Sequence, residues 1–202
     1  LTPIGIFSAG RMGNQWGLGM LANGGDCADC DSGDSADRIA FLTPIVGHIW
    51  AMAFDISASG PFRNRKVETR AVDVDPNDDV RTFTFAMLRY KDDLARERRR
   101  KAGKGTFEYG AYVSHRWQKN DVPTDYLPVA QPVLLDARQS MFRGYTATAF
   151  DLWLRLTLPS FRVELEAAAL LANVDQPSLI PGLLLRQPAT SRQFGLAVES
   201  EI

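Results

Sequence analysis

The stretch FEYGAYVSHRWQ, residues 107–118, decides the fold. Phe107, Tyr109, Ala111, Val113, His115 and Trp117 share one parity; Glu108, Gly110, Tyr112, Ser114, Arg116 and Gln118 share the other. Successive side chains of a β-strand point to opposite faces, so a period of two marks a strand with one apolar and one polar environment. Outward from here the same alternation recurs. Phe150, Leu152, Leu154, Leu156 and Leu158 oppose Asp151, Trp153, Arg155 and Thr157. Beyond Pro159-Ser160, Phe161, Val163, Leu165, Ala167, Ala169 and Leu171 oppose Arg162, Glu164 and Glu166. Trp50, Met52, Phe54 and Ile56 oppose Ala51, Ala53, Asp55 and Ser57, and Phe194, Leu196 and Val198 oppose Gln193, Gly195, Ala197 and Glu199.

The pattern predicts an all-β chain of eight strands, at roughly 4–21, 38–46, 48–58, 79–91, 105–119, 145–158, 161–175 and 189–202. Its connections alternate long and short: 22–37, 59–78, 120–144 and 176–188 are long, while Val46-Gly47 and Pro159-Ser160 are tight turns. The connection 92–104 is intermediate, and its charged sequence reads as a solvated hairpin tip or short helix. Contact of its run Arg98-Arg99-Arg100-Lys101 with lipid phosphates or lipopolysaccharide is a second reading. Long loops on one end and short turns on the other are the habit of an antiparallel up-and-down transmembrane β-barrel. The expected fold is such a barrel or a segment of one, with residues 1–202 forming a single domain. With short turns below, Trp50, Tyr90, Phe107, Tyr109 and Phe161 would form a lower aromatic rim and Trp16, Trp117 and Tyr145 an upper one. Strand 79–91 is ambiguous: Arg81 and Arg89 share a face with Phe83, Phe85 and Met87. Either they sit at the strand ends, or that face turns inward.

Composition removes several classes. A net charge of −1 offers no electrostatic footprint for nucleic acid. No apolar run reaches the roughly 18 residues of a spanning helix, which leaves barrel strands untouched. The chain begins at Leu1 without a Met or signal peptide and ends at Glu201-Ile202 inside a strand-like pattern, so it reads as a mature fragment of a larger barrel. Cations are mostly Arg; Lys66, Lys91, Lys101, Lys104 and Lys119 are the lysines, fewer than a soluble exterior usually carries.

The polar face is the expected functional surface. Arg11, Asp55, Glu108, Arg116, Asp151, Arg155, Arg162, Glu164, Glu166 and Glu199 would line a lumen if the apolar face meets lipid. Charged rings set ion selectivity in pores, and the same charges can fill a small barrel and brace its wall. Cys27 and Cys30 form a C-x-x-C pair without a second Cys pair, which reads as a small structural disulfide. Around them Asp26, Asp29, Asp31 and Asp34 are weak Ca²⁺ candidates, since their spacing departs from the D-x-[DN]-x-[DN]-G pattern. A hydrated acidic loop is the plainer state of this segment, with partial folding into the lumen as an acidic constriction the second reading; residues 131–145 read as a short amphipathic helix or a loop folded into the lumen. His48 and His115, the two histidines, lie on the apolar parity without an evident Ser or Asp partner, so no catalysis and no cofactor are expected.

The segments GRMGNQWGLGMLANGGDCADCDSGDSADRIAF (10–41), FDISASGP (54–61), DLWLRL (151–156) and FRVELEAAALLANVD (161–175) together resemble a poorly characterised family of porin-like outer-membrane β-barrel proteins of myxobacteria-like Gram-negative bacteria. That resemblance implies an outer-membrane barrel and longer relatives, and it carries over no substrate or catalytic residue. The leading expectation is thus a porin-like channel for passive passage of small polar solutes or ions. The alternatives are a plugged structural or anchoring barrel of an envelope complex, and a soluble exported barrel or sandwich that binds a small ligand. Expected partners are the lipid bilayer, lipopolysaccharide, the solutes themselves and further copies of the chain.

Overall fold

The computed structural model describes residues 4–25, 33, 35–57, 79–120, 143–177 and 187–202. They form one eight-stranded antiparallel sheet in sequential order: β1 (Ile6–Gly13), β2 (Ser35–Ile45), β3 (His48–Ser57), β4 (Val80–Arg89), β5 (Thr106–Gln118), β6 (Tyr145–Thr157), β7 (Arg162–Val174) and β8 (Ala189–Glu201). Each strand pairs only with its neighbours in sequence, so β1 and β8 are free edges and the sheet is not closed. One short helix, α1 (Asp93–Lys101), connects β4 to β5. Among the described residues no helix is long and apolar enough to cross a membrane.

The tight turns fix the register. Val46 and Gly47 both have positive φ, 52° and 72°, the backbone of the two-residue hairpin turns whose twist matches that of the flanking strands. Counting back from that turn puts Arg38 opposite Asp55. At the other hairpin the Leu158 N–H donates to the Phe161 carbonyl at 2.8 Å, and Arg155 falls opposite Glu164. Helix α1 shares this turn end: the Asp92 side chain accepts from the Ala95 N–H at 2.7 Å, and four basic residues occupy its last turn. Both features satisfy helix ends and offset the dipole.

Polarity across the sheet is inverted relative to a water-soluble fold. The concave face is enclosed and polar: Glu108 and Glu166 are 0% exposed and Asp151 2%. The convex face is exposed and apolar: Leu152 is 60% exposed, Phe194 76%, and Phe83, Phe85, Phe107, Phe150, Leu154 and Leu196 join them. The two arginines of β4 therefore stand at the ends of an outward apolar strand face, where Arg81 approaches Asp79 at 4.0 Å and Arg89 lies over the Tyr109 ring.

The first strand is shorter than its sequence pattern predicts. It ends at Gly13, and residues 14–25 leave the sheet plane and fold onto the concave face. Trp16, expected at an upper rim, is 7% exposed inside. Tyr145 also belongs to the concave parity, which leaves Trp117 with Phe54 and His115 as the aromatic group near the loop end of the convex face.

Candidate functional site

The concave face is a wall of small residues crossed by charged ties. Ala40, Ala86, Ala149 and Ala168 are buried on it, with Gly110 and the hydroxyls of Thr82 and Thr84 between them. Side chains this short leave room above the sheet. Most of the ties span neighbouring strands, because opposite charges directly across a pair stabilise it, and Arg162–Glu164 runs along β7.

Near the loop end, Arg38 Nε and Nη2 donate to Asp55 Oδ1 and Oδ2 at 2.5 and 2.6 Å, a buried fork-to-fork pair. Near the turn end, Glu108 Oε2 accepts from Arg155 Nε at 2.9 Å and Oε1 from the Lys91 backbone N–H at 2.7 Å. Arg96 of α1 reaches the same carboxylate at 3.4 Å and stacks over Tyr90 at 5.1 Å, which ties the helix to the turn end of the enclosed face. Arg155 also lies 4.9 Å from the Trp153 ring, whose indole N–H donates to Glu164 at 2.6 Å. Arg162 completes the series with Glu164 at 2.7 Å and Glu199 at 3.2 Å.

Between these two groups lies the inward segment. Trp16 Nε1 donates to Asp151 Oδ1 at 2.9 Å, and its ring sits 5.2 Å from Tyr112. The backbone N–H groups of Leu18 and Met20 donate to the two oxygens of Glu166 at 2.5 and 3.2 Å. Asn14 donates to the Tyr112 hydroxyl at 3.2 Å. Two glycines make the fit possible. A Cβ on Gly110 would stand 2.6 Å from the Trp16 ring, and Gly17, at φ +51°, would place one 2.7 Å from Glu166 Oε2. The segment closes on itself through Trp16 N–H to the Ala22 carbonyl at 3.0 Å and Gly19 N–H to the Trp16 carbonyl at 2.9 Å. Beside it a polar hollow of about 230 Å³ remains, lined among others by Arg38, Asp55, Thr82, Tyr112 and Arg116.

Asp55, Glu108, Arg116, Asp151, Arg155, Arg162, Glu164, Glu166 and Glu199 all occupy the concave parity expected of them. Arg11 does not. It stands on the convex parity at the loop end, in an exposed pair with Asp37 at 2.9 Å, because Gly10 and not Arg11 faces Arg38. Sequence reasoning missed Arg38, although symmetry about Val46-Gly47 places it opposite Asp55. It also missed Arg96 and the inward course of 14–25, whose W-G-L-G run continues the strand-like alternation. Cys27, Cys30, Asp26, Asp29, Asp31 and Asp34 lie outside the described residues, as does most of 131–145.

His48 Nε2 lies 2.9 Å from the Tyr109 hydroxyl and His115 Nδ1 2.9 Å from the Thr148 hydroxyl, both on the convex face. Among the described residues neither joins a carboxylate in an ion pair, and no group of three or more His, Cys, Asp or Glu converges as metal ligands do. No protein-family model, curated protein or solved structure matches this chain. Its chemistry is therefore argued from geometry alone: an enclosed polar face, charge-compensated at both ends, with a peptide segment bound across its middle.

Proposed function

We propose that this chain is a lipid-embedded β-barrel of an outer membrane, or a segment of one, whose polar lumen is closed in the state described. The observation that carries the reading is the inverted polarity: buried Glu108, Asp151 and Glu166 against exposed Leu152, Phe194 and Leu196. In water such an apolar face is a liability, since soluble monomers rarely expose contiguous apolar patches beyond a few hundred Å². In lipid it is the required surface, and strands cross a bilayer because their backbone groups are satisfied by neighbours.

A soluble ligand-binding barrel would enclose the apolar face; here the enclosed face holds the carboxylates. Eight strands give an interior that side chains alone nearly fill, and the segment 14–25 occupies what the small residues leave. This favours a plugged barrel for the closed state. The porin-like reading, passage of small polar solutes or ions, draws its support from the polar hollow of about 230 Å³ beside that segment.

The test is co-flotation of the full chain with liposomes after refolding from detergent, with protease added outside. Flotation with protected strands is the expected result. A chain that stays dissolved without detergent and sediments apart from the vesicles overturns the proposal.

A further inference from the structure

We infer that residues 14–25 are a displaceable gate, and that the lumen they vacate passes small cations along Asp151 and Glu166. The inference rests on the membrane reading above. Its first ground is the independence of the wall from the segment. The ties Arg38–Asp55, Arg155–Glu108, Trp153–Glu164 and Arg162–Glu164 contain no atom of residues 14–25. Removing the segment leaves these pairs in place over Ala86, Ala149, Ala168 and Gly110, which are too small to refill the space. What it gives up is the buried apolar cluster that Trp16 and Ala22 form with Ala86, Tyr112 and Trp153, and its bonds to Asp151 and Glu166.

Its second ground is where charge is left over. The concave-face acids Asp55, Glu108, Glu164 and Glu199 are each in an ion pair with an arginine. Asp151 and Glu166 have no such pair among the described residues; their donors come from the Trp16 indole and from the Leu18 and Met20 amides of the segment. Among the described residues no N–H reaches Asp151 Oδ2, though the residue is 2% exposed, and the other polar contact of this carboxyl is Glu166. The two carboxyls adjoin each other. When the segment leaves, both lose their neutral donors at once and face the same water-filled space. Carboxylates facing a narrow lumen attract cations and repel anions.

The experiment is planar-bilayer recording on the full chain under a salt gradient, with liposome flotation as the check on insertion. Wild type is expected to stay mostly silent. Trp16→Ala, which removes the Asp151 bond and the packing on Tyr112, is expected to raise the open fraction about tenfold or more, with a reversal potential on the cation side. Gly17→Ala provides a second route, since its Cβ would crowd the Glu166 carboxylate and the Trp153 ring from the segment's side and substitutes no residue of the four ties. In the Trp16→Ala background, Asp151→Asn with Glu166→Gln is expected to abolish the cation preference while the currents persist.

Inserted Trp16→Ala and Gly17→Ala proteins that are as silent as wild type overturn the gate. Currents whose reversal potential is unchanged by the double neutralisation overturn the role of the two acids. Failure to float overturns the membrane reading itself, an outcome distinct from insertion without current.

Discussion

Glu108 is the residue on which the turn end depends. It is wholly buried and takes donors from Arg155, from the Lys91 amide and from Arg96 of α1. Taking away one member of a buried charged cluster leaves the others unpaired in a medium that solvates them poorly, at a cost of about 3–5 kcal/mol. Glu108→Ala is therefore expected to lower the unfolding free energy from urea titration by that margin and the midpoint with it, and Glu108→Gln by less, because the amide oxygen still accepts from Lys91. The Arg11–Asp37 pair makes the contrast. Both partners are mostly exposed, and surface pairs of this kind contribute little, so Asp37→Ala is expected to leave the midpoint unmoved. An unchanged midpoint in Glu108→Ala would mean that water reaches the pair and the turn end is open.

At the scale of the elements, hairpin chemistry sets the register, and one turn carries a residue poorly suited to it. Val46 is 89% exposed at φ 52°, a left-handed conformation that costs a β-branched residue roughly 1 kcal/mol or more and that Asn adopts readily. Val46→Asn is expected to raise the unfolding free energy by about 1 kcal/mol, with the β2–β3 register unchanged by amide exchange; a loss of stability would contradict the turn assignment. The strands themselves were legible in sequence because a period of two survives whichever face is buried. Boundaries came within a few residues for β3 to β8, where turn residues punctuate the pattern. The end of β1 was not legible. Trp16, Leu18 and Met20 keep the alternating parity of a strand, yet the Trp16 amide donates to the Ala22 carbonyl and the Leu18 and Met20 amides to the Glu166 carboxylate instead of to a neighbouring strand. No local signal reports a partner about 150 residues away. For the same reason parity within a strand was readable and parity across β1 was not: Arg11 faces outward because its register follows from β2, which its own sequence does not encode.

At the scale of the sheet, the apolar face points outward and, among the described residues, two strand edges are unpaired, both of which would be costly if water surrounded them on the apolar side. A bilayer removes the first cost. It would impose a stricter rule on the second, since unpaired backbone groups are not tolerated in hydrocarbon, so on the proposed reading β1 and β8 need partners on insertion. A lipid-facing surface would have a depth axis, and that axis makes the membrane reading separable from any soluble one. Leu152 lies midway along β6 on the convex face, and Thr146 lies on the same face near its loop end; both are exposed. In lipid, an arginine at the midplane costs about 2–4 kcal/mol and one near the interface about 0–1 kcal/mol. In water, an exposed position tolerates the same substitution within about 0.5 kcal/mol wherever it sits along the strand. Leu152→Arg is accordingly expected to destabilise the vesicle-bound protein by some 2 kcal/mol or more in urea titration, with Thr146→Arg close to wild type. Equal and small effects at both positions would mean that no hydrocarbon lies against β6, and the exposed apolar face would then require a protein surface to cover it.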